Sequence, residues 1–224
     1  MWDMKESCDI NCREQLNAIG RFDEVKGELV SAIPDIYYSN VNNKIIFDKC
    51  RPWVIPDNIT MAQQYISPTI KAIILVRPID QIIKSFAKIY FNNGADSSVY
   101  NELLRDDSEV LMRSFQATLL AALSKDRNHM FISYDKLVER TDDVLSAIYE
   151  FIGEDSFSHN IRNVEQTVLE DDTVYGLSGL HDIRQNINKE NFDIALPDWV
   201  INKSKIMTDI LYGELDGENC GLFC

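Results

Sequence analysis

The sequence predicts an α/β domain built on a parallel sheet. Two observations carry this: helical apolar stripes alternate with short apolar runs along the chain, and one of those runs, Ile73-Ile74-Leu75-Val76, is unbroken by any polar residue. Alternation of this kind is the pattern of strand–helix–strand units, and an unbroken apolar strand suits a sheet covered on both faces. A third observation is the composition, 45% hydrophobic and 26% charged over 224 residues, which is that of an ordinary globular chain able to bury its own core. A single domain is expected, with residues 213–224 as a loose tail.

Each element has its own signal. Residues 12–33 place Leu16, Ile19, Phe22, Val25, Leu29 and Ile33 near helical spacing, and Pro34 is expected to end that helix. Asn42-Asn43 marks a turn, and Lys44-Ile45-Ile46-Phe47-Asp48 reads as a short buried strand beside the central one. Residues 58–67 read as a helix capped by Asn58. Residues 71–76 are the clearest strand. Pro78 then favours extended geometry at Arg77 and fits the first turn of a helix over 79–91. That helix carries Ile79, Ile82, Ile83, Phe86, Ile89 and Tyr90 as one stripe, with Lys84 and Lys88 opposite and Ser85 at its flank. A polar loop over 92–98 leads to a helix over 108–123 and a strand over 129–134. Thr141 is the expected cap of a helix over 142–152, with Gly153 as its stop. A short helix over 158–168, a loop over 175–184 and a terminal helix over 197–212 complete the reading.

The formal charge of −14 disfavours a nucleic-acid partner, which needs a broad basic face, and an anionic membrane surface. A small anionic ligand remains open, because one pocket can be positive on an acidic protein. No apolar run reaches the length of a membrane span, and the first residues lack the basic-then-apolar order of a signal peptide. Five cysteines in a chain of this size need no disulfide framework, so a reducing, cytoplasmic compartment is expected. Cys8 with Cys12 and Cys220 with Cys224 lack the two-residue spacing of zinc pairs, so no metal is expected. The acidic pairs Asp106-Asp107, Asp142-Asp143 and Asp171-Asp172 read as solvated turns and helix starts.

In open α/β sheets the ligand lies beyond the carboxyl ends of the strands, and Asp48, Arg77 and Tyr134 fall at or near such ends. Arg77 and Ser85 span a strand end and the second turn of the following helix. A guanidinium fork, a hydroxyl and a helix N-terminus make a phosphate site, although the same residues fit an ordinary surface arginine and helical serine.

The stretch Ile73-Ile74-Leu75-Val76-Arg77-Pro78-Ile79-Asp80-Gln81-Ile82-Ile83-Lys84-Ser85-Phe86 resembles the 3′-phosphate-binding segment of the sulfotransferases. Phe131-Ile132-Ser133-Tyr134-Asp135-Lys136-Leu137, with the following helix ending Phe151-Ile152-Gly153, resembles the same family's Tyr-Glu-Asp-Leu strand and its helix. Phe47-Asp48-Lys49-Cys50 resembles the Phe-Glu-Lys-Ser motif of the glycan sulfotransferases, with Asp for Glu and Cys for Ser. The resemblance covers residues 44–153 in chain order. Gly179-Leu180-His181-Asp182-Ile183-Arg184 extends it, with wording nearest to phage and bacterial sulfotransferase-like proteins.

The resemblance implies a P-loop-like parallel-sheet fold and sulfuryl transfer from 3′-phosphoadenosine 5′-phosphosulfate to a hydroxyl or amine of a small-molecule or glycan acceptor. It implies that Arg77 and Ser85 hold the 3′-phosphate, that Tyr134 lies near the nucleotide, and that Arg184 closes over it from a late loop. Asp48 would act as general base, with Lys49 and Arg51 stabilising charge on the sulfuryl group. His181 reads either as a loop histidine bonded to backbone or as an acid or base. The family's pattern opens with a strand and a Gly-rich loop that cradles the 5′-phosphate, and the first 30 residues here hold only Gly20 and Gly27. The expectation is that this strand–loop–helix unit comes from an upstream segment, a second chain or a second copy. Otherwise the chain is a non-catalytic relative that binds the nucleotide.

Overall fold

The computed structural model describes residues 1–167, 170–189 and 192–216, and the backbone of 222–223. They form two compact units, Met1–Ile70 and Lys71–Cys224.

The first unit is helical. It runs α1 (Trp2–Ser7), a wide π turn (Cys8–Cys12), α2 (Arg13–Ala18), α3 (Phe22–Tyr37) and α4 (Pro56–Tyr65). The helix expected over 12–33 is therefore two helices. Gly20 takes φ +68°, and the Arg21 amide reaches back to the Leu16 carbonyl at 3.0 Å, which closes α2. Pro34 does not end α3. The ring removes one amide near the helix end, the Pro34 carbonyl still accepts from the Tyr38 amide at 2.9 Å, and the proline is buried. Phe22, Val30, Cys8, Met61 and Ala62 are buried in this unit.

The strand expected over 44–48 is absent. Those residues are irregular, and Phe47 is 67% exposed. An apolar run becomes a strand only with a partner for its backbone, and the described residues of this unit hold no strand to supply one. Asn58 does not cap α4. The helix starts earlier, at Pro56, and the Asn58 side-chain Nδ2 donates instead to the Pro52 carbonyl at 2.8 Å.

The second unit is α/β. Strand β1 (Ala72–Val76) pairs in parallel with β2 (His129–Ser133), with Ala72 opposite His129 and Val76 opposite Ser133. Between them lie α5 (Ile79–Asn92), α6 (Val99–Leu104) and α7 (Met112–Ser124). After β2 come α8 (Tyr134–Glu139), α9 (Thr141–Ile152), a 3-10 turn (Asp172–Tyr175), α10 (Asp198–Leu215) and β3 (Leu222–Phe223). From the segment expected as a loose tail, β3 adds two residues to the far edge of β2.

Alternation in β1 puts Ile74 and Val76 on a buried face and leaves Leu75 51% exposed on the other. The strand is thus covered on one face, not on both as its apolar run suggests. The core against α5 joins Ile79, Ile83 and Ala87 to Val99, Tyr100, Leu103 and Leu104, and to Val200 and Met207 of α10. The buried stripe of α10, at Val200, Ser204, Met207, Leu211 and Leu215, keeps helical spacing throughout.

Helices α6 and α8 lie where the sequence pattern suggests loop and strand end. Each is six residues long, too short for a periodic stripe to announce it. The helix expected over 158–168 is not formed over 158–167, and residue 168 lies outside the described residues, as do Cys220 and Cys224. Gly153 does end α9, with φ +83°, the Glu154 amide bonding the Tyr149 carbonyl at 2.9 Å. Thr141 is the first residue of that helix and not its cap. Its hydroxyl donates to the Leu137 carbonyl at 2.7 Å. No helix among the described residues is long and apolar enough to cross a membrane.

Candidate functional site

Arg77 leaves β1, and Tyr134 follows β2, so the parallel pairing of Val76 with Ser133 sets them side by side. The Arg77 guanidinium carbon lies 4.2 Å from the centroid of the Tyr134 ring and 5.4 Å from that of Phe192. Arginine stacks on aromatic faces at such distances because its cation meets the negative face of the ring. The Arg77 Nε donates to Gln81 Oε1 at 3.1 Å. The side chain is thereby aimed along α5, on the face that Gln81, Ser85 and Lys88 share by helical spacing. Phe192 also lies under the Lys88 ammonium at 5.7 Å. Ser85 is half-buried on that face, and its hydroxyl makes no hydrogen bond among the described residues.

The neighbouring elements are tied to this centre. Ser133 caps α8 by accepting from the Lys136 amide, which fixes the turn that presents Tyr134. Lys189, three residues before Phe192, pairs with Asp135 at 3.0 Å. At the start of α5 the Ile79 amide donates to the Thr208 hydroxyl of α10 at 3.0 Å. On the adjacent stripe of α5, Asp80 and Lys84 border a groove of about 550 Å³ whose other wall is Ile194–Leu196 and α10. None of the residues predicted for the site lines it.

Asp48, Lys49 and Arg51 belong to the first unit, in the irregular segment before α4, and all three are exposed. The Tyr38 hydroxyl donates to Asp48 Oδ2 at 3.2 Å. Partial burial, and then the Asp48 charge beside it, push the Tyr38 hydroxyl above its ordinary range.

Arg184 is exposed in the late loop of the second unit. That loop is built on a pair the sequence reading misplaces. Asp172, expected in a solvated turn, is buried, with Oδ2 accepting from the Leu180 amide at 2.7 Å and the His181 amide at 3.1 Å. Its other oxygen, Oδ1, lies 2.6 Å from His181 Nδ1, and Glu170 Oε2 lies 3.3 Å from the same nitrogen. The hydrogen bond from His181, reinforced by the two amides against the cost of burial, holds the Asp172 carboxyl below its ordinary range. Gln166 completes the frame. Its amide nitrogen donates to the His181 carbonyl at 3.3 Å, and its oxygen accepts from the Ile183 amide at 3.1 Å. At the far end of α5 the Asn93 side-chain Nδ2 donates to the Ser178 carbonyl at 3.1 Å.

Two of the predicted residues, Arg77 and Tyr134, are therefore in contact, and Ser85 shares a helix face with the first. Gln81, Phe192 and Asp172 escaped prediction. Gln81 was readable from its spacing of four from Arg77. Phe192 and Asp172 carry no local signal, since each acts across a long loop. Among the described residues no group of three or more His, Cys, Asp or Glu side chains is placed to hold a metal. No family model, no curated protein and no solved structure matches the chain.

Proposed function

We propose that the chain is a sulfotransferase-like protein that binds 3′-phosphoadenosine 5′-phosphosulfate at the carboxyl ends of β1 and β2. The observation that carries the reading is Arg77. It leaves the strand at the position where open α/β sheets bind ligands, its guanidinium is oriented by Tyr134, Phe192 and Gln81, and it is directed along the helix face that bears Ser85. A planar fork matches two phosphate oxygens at once, and a hydroxyl supplies a third donor. On this reading Arg77 and Ser85 hold the 3′-phosphate, the Tyr134 ring lies beside the nucleotide, and Arg184 approaches from the late loop.

The test is calorimetry of the full chain with adenosine 3′,5′-bisphosphate and with adenosine 5′-monophosphate. One charge-assisted hydrogen bond contributes about 1.5–3 kcal/mol, so the bisphosphate binds at least about tenfold more tightly. Equal affinity for the two nucleotides, or binding of neither, overturns the reading.

A further inference from the structure

Arg77 and Lys88 share one aromatic neighbour. The Phe192 ring centre lies 5.4 Å from the Arg77 guanidinium carbon and 5.7 Å from the Lys88 ammonium. The two cations reach it from opposite directions along α5. Arg77 precedes the helix, and its bond to Gln81 at 3.1 Å draws the side chain forward over the first turn. Lys88 lies in the third turn, and a long side chain on a helix leans back over the turn before its own. Helical spacing puts Gln81, Ser85 and Lys88 on one face, so the two charges approach Ser85 from either end. Phe192 is held on both sides in sequence. Lys189 pairs with Asp135 at 3.0 Å, and Ile194 packs against the core that α5 forms with α10. Among the described residues the partners of Arg77 are Tyr134, Phe192 and Gln81, all neutral, so no carboxylate cancels its charge. Lys84, on the adjacent stripe, is instead paired with Asp80 at 3.4 Å.

We propose that Lys88 is a second cation of the Arg77 site and makes that site selective for a phosphate monoester. The proposal rests on the nucleotide-binding reading above and adds a residue that the resemblance does not supply. A monoester carries about 1.5 to 2 negative charges at neutral pH, and a diester carries less. The planar guanidinium fixes the orientation of the phosphate and offsets part of that charge. The lysine ammonium, a compact point charge on a flexible stem, offsets the remainder. The Phe192 face attracts both cations without neutralising either.

The experiment is calorimetry of the full chain with three nucleotides. Adenosine 3′,5′-bisphosphate presents a monoester at the 3′ position, adenosine 3′,5′-cyclic monophosphate a diester, and adenosine 5′-monophosphate no phosphate there. Lys88→Met removes the charge and keeps an unbranched, helix-compatible side chain. Lys84→Met removes the same charge one stripe away and reads the general effect of a more acidic protein. Lys88→Met is expected to lose about fivefold in affinity for the bisphosphate, the upper end for an exposed ion pair, and to bind the other two as wild type does. Lys84→Met is expected to match wild type with all three. Bisphosphate affinity unchanged in Lys88→Met, an equal loss in Lys84→Met, or an equal loss for all three nucleotides overturns the assignment and leaves the Arg77 site standing. Wild type that binds the bisphosphate no more tightly than the 5′-monophosphate is the distinct failure, which removes the nucleotide-binding reading and this proposal with it.

Discussion

Gly153 and Gly27 offer a paired test of how the fold is held, because the same substitution is expected to act with opposite sign at each. Gly153 ends α9 in the left-handed region, at φ +83°, and a Cβ built there meets no atom within 4 Å. Its replacement by alanine is therefore free of collision, and the cost is conformational alone. An L-residue in that region is disfavoured by about 1–2 kcal/mol. Restricting the unfolded chain returns about 0.4–1 kcal/mol, which leaves a net loss at this site. Gly27 lies inside α3, also in open space, with a helical backbone that alanine adopts without strain. There the exchange is expected to stabilise by about 0.5–1 kcal/mol. Since about 1 kcal/mol moves the midpoint of a domain this size by roughly 2–4 °C, Gly153→Ala is expected a few degrees below wild type. Gly27→Ala is expected above it. Differential scanning calorimetry reads both. A midpoint for Gly153→Ala equal to or above wild type refutes the assigned helix stop, and with it the geometry that follows α9.

Three further outcomes follow from the same structure. Ile83 is fully buried against α6 and α10, so Ile83→Ala is expected to cost about 2–5 kcal/mol, read as a lower urea midpoint at unchanged slope. Asp172 is held below its ordinary range in the fold, so its contribution is complete above its unfolded pKa of about 3.9 and is lost as pH falls from there through the lower folded value. Thermal midpoints between pH 5 and 2 should therefore fall more steeply in wild type than in Asp172→Asn, and equal slopes contradict the pairing. Asp48 meets Tyr38 on the surface of the first unit, so Asp48→Asn is expected to leave the calorimetric affinity for adenosine 3′,5′-bisphosphate unchanged.

What the sequence made legible is what rests on short-range pattern. The stripe of α5 and the strands at 72–76 and 129–133 were readable because apolar spacing, Pro78 and Gly153 each act within a few residues. The adjacency of Arg77 and Tyr134 also followed, since two parallel strands bring their carboxyl ends to one side. The run at 44–48 was misread for a physical reason. Three apolar residues specify a strand only if a ladder is offered, and Ile46 and Phe47 remain exposed without one. Pro34 was misread because a helix tolerates a proline near its end when the remaining carbonyls find donors. Asp172 was illegible because its burial depends on amides eight and nine residues onward, in a loop without periodicity. Phe192 was illegible for the same reason, with the five helices α5–α9 and strand β2 lying between it and its partner Arg77.

The central claim is that Arg77 binds a phosphate at the 3′ position, and calorimetry of wild type against Arg77→Ala with two nucleotides tests it most directly. Adenosine 3′,5′-bisphosphate should lose at least about tenfold in affinity in the variant, the equivalent of one charge-assisted hydrogen bond or more. Adenosine 5′-monophosphate, which lacks the group Arg77 is assigned to hold, should bind both proteins alike. An unchanged bisphosphate affinity, or an equal loss for both nucleotides, contradicts the assignment.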